Sequence, residues 1–298
     1  MKLLVTGSSG AVGRHFTSQF GGLALEDEAG LVDLRDATRV RSVIAAIQPD
    51  AVLHLAAQSS VADSFDDPRA TYDVNFFGTL HLLEALDGCG FRGALLYVGS
   101  ADVYGSTDDS HLPIPETHPL RPRSPYGVSK VAAEALCYQW SQTQNFRIVL
   151  TRPFNLIGPG QDARFAVPGF ARQIVQIRNR IRDAVIATGD LDVTRDFTDI
   201  RDAVRAYRLL LDAGENGGIY NVCSGRERSL REILLALLHI AGVQATLSVA
   251  PERLRPHEQR RVAGDPGKLF ARTGWAPQIP LETTLKDILK EAEDKSER

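Results

Sequence analysis

The chain is short of the features that would tie it to a membrane, a nucleic acid or an oxidising compartment. Its 298 residues hold three cysteines, Cys89, Cys137 and Cys223, scattered and without CxxC spacing. An odd, dispersed set of thiols suits a reducing cytoplasm and argues against a structural zinc site, so no metal is expected. Each thiol reads as a small buried apolar side chain. No apolar run approaches the ~20 residues needed to span a bilayer. The first residues enter a strand directly and leave no room for a signal peptide, which makes a cytoplasmic location the expectation. Lysine plus arginine (34) and aspartate plus glutamate (37) leave a formal charge of −3, with no basic tract. Nucleic-acid binding is therefore not expected. Internal repeats and low-complexity tracts are missing too.

What is present is alternation. Short apolar runs at 2–6, 23–25, 51–55, 94–98, 146–151, 184–188 and 218–222 read as strands, and helical patterns fall near 37–47, 69–86, 125–144, 168–180 and 200–211. Strand followed by helix, repeated with crossovers of this length, predicts an α/β fold: a doubly wound, mostly parallel sheet covered on both faces. After about Asn155 the texture changes. NLIGPGQDARFAVPG is rich in glycine and proline, and the stretch from Arg253 to Gly264 concentrates positive charge. The reading is a dinucleotide-binding domain over 1–155, with segments near 184–222 returning to it, and a smaller α/β substrate domain mainly over 156–298. That second domain is expected to clamp an anionic substrate over the mouth of the sheet. The closing run KEAEDKSER reads as a helix fraying into a disordered tail.

Two local patterns carry chemistry. The first strand runs into TGSSGAVG, whose Gly7, Gly10 and Gly13 have GxxGxxG spacing, and a helical stretch follows from about Val12 to Phe20. In such a strand–turn–helix the first glycine permits the tight turn and the second lets a pyrophosphate approach the backbone. The third lets helix pack on strand. The diphosphate then rests on a helix N-terminus, where unpaired N–H groups favour anions. The second pattern is Tyr126 and Lys130 in RSPYGVSK, four residues apart and so on one helical face. A phenol alone titrates near ~10, and a cation beside it favours phenolate, so the pair predicts a tyrosine usable as acid or base nearer neutrality.

These pieces, together with HLAAQSSVADSFDDP (54–68), DVNFFGTLHLLEA (73–85), VGSADVYG (98–105), TRPFNLIGPGQ (151–161), GDLDVTRDFTDIRD (189–202) and RPHEQRRV (255–262), resemble one family over nearly the whole chain. It is the extended short-chain dehydrogenase/reductases, in the branch acting on nucleotide sugars. The resemblance implies a Rossmann sheet and a catalytic set of Ser100, Tyr126 and Lys130, with Asp102 beside them. It implies cofactor contacts from Gly7, Ser9, Gly10, Ala11, Val12, Gly13, Asp33, Leu34, Leu55, Ala56, Ala57, Asn75, Tyr126, Lys130 and Arg152. Substrate contacts are implied for Ser100, Asp102, Tyr126, Asn155, Arg195, Arg255 and Glu258. In the family the tyrosine protonates the C4 oxygen as hydride arrives, and the lysine lowers its pKa and holds the nicotinamide ribose.

Within that branch the resemblance, carried most specifically by the RPFN-x-IGPGQ and RDFTD-x-RD segments, implies NAD(P)H-dependent reduction of a nucleotide-linked 4-keto-6-deoxy sugar. The expected substrate is GDP-4-keto-6-deoxy-D-mannose, going to GDP-D-rhamnose. Alternatives on the same scaffold are GDP-mannose 4,6-dehydration and 4-epimerisation; outside catalysis, an NADP-sensing binding module. The dehydratases place a glutamate where this chain has Asp102, one methylene shorter, which speaks against dehydration. NADPH is the expected cofactor. Arg14 and Arg35 are candidates for its extra phosphate, whereas Glu26 and Asp27 after the short second strand leave NADH possible. In similar enzymes the helices corresponding to 69–86 and 125–144 pair across a two-fold axis, so the resemblance implies a homodimer through Leu80, Leu83, Val131 and Leu136.

Overall fold

The computed structural model describes residues 1–254 and 259–296. Six parallel strands make the large sheet, in the spatial order Ile219–Val222, Arg147–Pro153, Ala94–Val98, Ala51–His54, Leu3–Thr6 and Leu23–Ala24. Side chains alternate across it as strand geometry requires. Leu4, Val52, Leu95, Ile148 and Leu150 join one core with the helices Ala37–Ile47, Gly78–Gly88 and Pro125–Thr143. Leu3, Val5, Leu53, Leu96 and Val149 join the other with Ala11–Phe20 and Ile200–Ala213. Burial on both faces explains why these strands read as near-continuous apolar runs. The strand Leu3–Thr6 lies between Leu23–Ala24 and Ala51–His54, so the chain reverses direction across the sheet there. Open parallel sheets bind ligands at the carboxyl ends beside such a switch point.

A second unit has its own apolar core, built from the helices Ala166–Arg178, Leu230–Ala241 and Leu281–Ser296. It carries a three-stranded sheet, Glu227–Ser229, Thr194–Asp199 and Asn155–Ile157, and a pair formed by Thr246–Val249 and Val185–Thr188. Of the segment 184–222 expected to return to the large sheet, only the part from Ile200 onward does so. Val185–Thr188 stays outside, because Ile186 packs into the second core instead.

Other differences from the sequence reading have physical causes. The second strand is two residues long and is followed by a hairpin of Glu26–Asp27 with Gly30–Leu31. The helix expected from 69 to 86 is three pieces, Pro68–Tyr72, a wide π turn at Asp73–Phe77, and Gly78–Gly88. The C-terminal run is helical as far as Ser296: its helix buries Ile288 and Leu289 and uses Glu291 to accept from the Gly160 amide at 2.6 Å. Leu83, expected on a dimer surface, is fully buried in the sheet core, and Leu136 packs against that same core. The apolar side chains left exposed on this side are Phe65, Phe77, Val128 and Tyr138.

Two glycines of the N-terminal loop are sterically required. Gly7 has φ +70°, and a Cβ there would lie 2.7 Å from the Ala56 amide nitrogen. A Cβ on Gly13 would lie 2.3 Å from the Gly7 carbonyl oxygen, whereas one on Gly10 would sit 3.3 Å from that atom. Gly13→Ala should therefore cost about 1–3 kcal/mol of stability through backbone overlap. Gly10→Ala should melt close to wild type yet lose dinucleotide affinity, because the second glycine of such a loop is where a pyrophosphate approaches the backbone. Thermal unfolding with and without NADPH reads both effects; a Gly13→Ala protein that melts like wild type contradicts this packing.

Candidate active site

Four carboxyl ends of the large sheet's parallel strands lie along one edge: Thr6 leads into Gly7, His54 into Leu55–Ala57, Val98 into Ser100, and Pro153 into Asn155. The helix Ala11–Phe20 starts at Gly10 with no side-chain cap. Its first-turn N–H groups are left for an external acceptor, and with Gly7 and Gly13 fixing the turn the loop fits a dinucleotide diphosphate.

The helix Pro125–Thr143 begins where it does because the Ser124 side chain accepts from the Gly127 amide at 3.0 Å and Pro125 occupies the first turn. That start aims Tyr126 and Lys130 inward, and both are buried. Lys130 Nζ donates to the Val98 carbonyl at 2.9 Å, 5.2 Å from the Tyr97 ring centre and 5.9 Å from that of Tyr126. Ser100 Oγ accepts from the Asp102 amide at 3.1 Å, and its side chain is hydrogen-bonded to the Tyr126 phenol. Ser100, Tyr126 and Lys130 are thus brought together, with the Asp102 carboxylate close enough to act on the phenol electrostatically.

The expectation that Lys130 lowers the Tyr126 pKa does not survive burial. Desolvation pushes the phenol well above its ordinary value, the Asp102 charge adds to this, and the Ser100 hydrogen bond only partly opposes it. Burial likewise lowers the Lys130 ammonium to about 8. A phenol in this state keeps its proton at neutral pH, which is the form an acid needs before it protonates a ketone.

The other expected contacts divide. Asn155 and Arg195 lie on one face of the three-stranded sheet, since Asn155 pairs with Phe197, two residues from Arg195. Arg195 Nη1 donates to the Thr194 and Gln259 carbonyls. Arg255 and Glu258 lie outside the described residues. Asp33 takes a bidentate contact from Arg35, and the Leu34 side chain is core. Both candidate phosphate ligands are exposed: Arg14 spends its fork on the Ser9 and Gly160 carbonyls, and Arg35 spends its fork on Asp33. Ser9, Ala11 and Val12 line the glycine loop, and Leu55, Ala56 and Ala57 face it from the neighbouring strand end. Asn75 is buried, bonded to the Gln58 amide and carbonyl and to Ser129 Oγ, so it fixes the loop after strand Ala51–His54. Arg152 is buried against Glu134, with its donors directed into the protein.

Several residues that position the site lie within the segments that carry the resemblance, yet the sequence assigns them no role. His54 is fully buried between Thr6 and Thr79, at 2.7 and 3.0 Å, and burial holds it neutral with a pKa near 3. Thr79 donates to the Asn75 carbonyl, so the imidazole donates at Nε2 and accepts at Nδ1. In RDFTDIRD three carboxylates are scaffolding. Asp196 accepts from the Ser224, Gly225 and Gly264 amides, Asp199 from Thr284 and Arg201, and Asp202 from the Gln278 and Ile279 amides. Inward-facing carboxylates at this spacing were the signal available.

This fold and site define a nucleotide-sugar enzyme of the short-chain dehydrogenase/reductase type. Residues 26–288 match the model of the GDP-mannose 4,6-dehydratase family, and the chain belongs to that family. GDP-6-deoxy-D-mannose reductase of Pseudomonas aeruginosa is 42% identical, covering 99% of this chain and 98% of its own. A solved structure of RMD from Pseudomonas aeruginosa complexed with NADPH superimposes with a TM-score of 0.93 at 40% identity, covering 99% of this chain and 100% of that one. GDP-mannose 4,6-dehydratase of Yersinia enterocolitica is 28% identical over 86% of this chain and 76% of its own. The family and these relatives make the chain an NAD(P)-dependent enzyme.

The buried lysine has a thermodynamic consequence. Its folded-state pKa of about 8 lies below the unfolded ~10.4. At lower pH the ammonium is charged in both states and its desolvation opposes folding in full. Between the two values only the unfolded chain holds the proton, so stability rises with pH there. Lys130→Met should stabilise the ligand-free protein by about 1–3 kcal/mol at pH 7, with the gain shrinking toward pH 10. Thermal melts across that range test it; destabilisation at every pH contradicts it.

Proposed function

We propose that the chain reduces the C4 ketone of GDP-4-keto-6-deoxy-D-mannose with NADPH, giving GDP-D-rhamnose. The observation that carries this reading is the buried Ser100–Tyr126–Lys130 cluster beside the uncapped glycine loop. It occurs in a chain matched from end to end by a GDP-6-deoxy-D-mannose reductase. NADPH, when bound, supplies the hydride to C4. Ser100 and Tyr126 donate hydrogen bonds to the ketone oxygen, and Tyr126 gives up its proton as that oxygen becomes an alkoxide. The phenolate so formed is stabilised by the Lys130 ammonium. Arg195 and Asn155 face the diphosphate, whose two charges need paired cations in a partly closed site. Arg35, beside Asp33, meets the cofactor's extra phosphate.

The dehydratase reading draws on the family as a whole, but Asp102 stands in for the longer glutamate. A displacement of about an ångström at a base costs ~100-fold. The binding-module reading requires a broken catalytic set, and this one is intact. The protein is further proposed to act in the cytoplasm as a homodimer, with the exposed side chains Phe65, Phe77, Val128 and Tyr138 among those that a second copy covers.

Purified protein given the GDP-linked 4-keto sugar should consume NADPH mole for mole and yield GDP-D-rhamnose by NMR. Rapid conversion of GDP-mannose with no net use of NADPH on the keto sugar would overturn the reading in favour of dehydration. Tyr126→Phe should retain cofactor binding and lose ~100- to 10,000-fold in kcat. Arg195→Ala should raise KM for the sugar nucleotide far more than it lowers kcat. Light scattering of Tyr138→Arg should report a monomer where wild type is a dimer; a monomeric wild type removes the dimer proposal.

A further inference from the structure

We propose that Arg152 is a positioning residue, a buried hub that sets the register of the Ser100 loop against the helix carrying Tyr126 and Lys130. The inference rests on those three residues being the reacting set. Arg152 leaves strand Arg147–Pro153 with 3% of its side chain exposed, and Glu134, 6% exposed, meets it from helix Pro125–Thr143. Nε donates to Glu134 Oε2 at 2.8 Å and Nη2 to Oε1 at 2.6 Å, a two-pronged pairing. Nη1 donates to the Tyr104 phenol oxygen at 3.0 Å and to the Glu116 carbonyl at 2.9 Å. The guanidinium carbon lies 4.9 Å from the centre of the Tyr104 ring.

Each partner belongs to a different part of the site. Glu134 follows Tyr126 and Lys130 on the same helical face, at intervals of four. Tyr104 ends the short turn that begins at Ser100 and contains Asp102. Its hydroxyl donates to Asn221 Oδ1 at 2.7 Å, and the Asn221 amide donates to Glu116 Oε1 at 2.8 Å. Asn221 Nδ2 donates to the Ile114 carbonyl at 2.9 Å, and Ile114 pairs with Ala263 and Asp265 through its backbone. The neighbouring Gly264 amide donates to Asp196, beside Arg195. One connected set of hydrogen bonds thus runs from the helix of Tyr126 to the strand of Arg195.

A wholly buried ion pair contributes little net stability compared with an apolar pair of the same volume. What a planar, two-pronged fork supplies is direction: it fixes both partners in angle as well as distance. The reaction needs such fixing, because Ser100 and Tyr126 come from separate elements and must meet one ketone oxygen.

The test replaces the pair together, Glu134→Leu with Arg152→Met, so that no unpaired charge is left in the core. Tyr104→Phe is the milder variant, keeping the ring and losing only the hydroxyl. The expected result for the double variant is a folded protein whose kcat falls ~100-fold, with NADPH affinity by fluorescence titration as in wild type. Tyr104→Phe should lose about tenfold in kcat and melt lower than wild type, because it leaves Asn221 Oδ1 buried without its donor. Amide exchange at Tyr104 and Gly105 should become about tenfold faster in the ligand-free double variant. That last readout needs no substrate, so it judges the hub even if wild type turns over a different sugar nucleotide. Wild-type kcat and exchange in a folded double variant would overturn the proposal. A loss of NADPH affinity matching the loss of kcat would also overturn it, since Arg152 would then act on the cofactor directly.

Discussion

Lys130 is an ammonium group held in a nearly dry layer between helix Pro125–Thr143 and strand Ala94–Val98, with the Val98 carbonyl as its hydrogen-bond partner. Burying a charge there opposes folding, and the surrounding structure is organised to keep it in place. Ser124 and Pro125 fix where the helix begins, Glu134 fastens it to Arg152, and Ser129 fastens it to Asn75. The same dryness that lowers the lysine pKa raises that of Tyr126, so the two groups rest as an ammonium and a neutral phenol. The attraction between them becomes large when the phenol gives up its proton, which is the moment at which catalysis needs it.

The second unit is joined to this layer by polar contacts as well as by Leu156, which packs against the large sheet's core. Arg14 and His15 at the start of the first helix bond the Gly160 and Pro159 carbonyls, and Glu291 from the last helix accepts from the Gly160 amide. Asp199 and Thr284, with Arg201 and Asp287, tie helix Ile200–Ala213 to the C-terminal helix. The glycine loop and the strand bearing Arg195 are thereby referred to one framework, although each sits over a different core.

What was legible in the sequence was local. GxxGxxG after an apolar run, tyrosine and lysine four apart, and a serine at a strand end each announce themselves within ten residues. The strand–helix alternation fixed the large sheet, because buried parallel strands are apolar on both faces. What failed was whatever depends on distant partners. The partner of Val185–Thr188 lies at Thr246–Val249, so nothing in the segment itself says which sheet it joins. The direction of the Tyr126 pKa follows from burial by the whole fold. Arg152, in a motif that the resemblance linked to the cofactor, turns inward to Glu134. Asp196, Asp199 and Asp202 lie in a segment singled out for its resemblance alone, and they hold turns and termini together from the interior.

The measurement that bears most directly on this picture is the pH dependence of a single turnover, in which enzyme in excess, loaded with NADPH, is mixed with GDP-4-keto-6-deoxy-D-mannose. With a buried phenol that keeps its proton and a lysine that loses its charge near 8, the rate of NADPH oxidation should be flat from pH 6 and fall through about 8. Lys130→Arg, whose guanidinium stays charged, should move that fall upward. A fall already complete by about pH 7, as expected of a phenol acidified by its lysine, would contradict it.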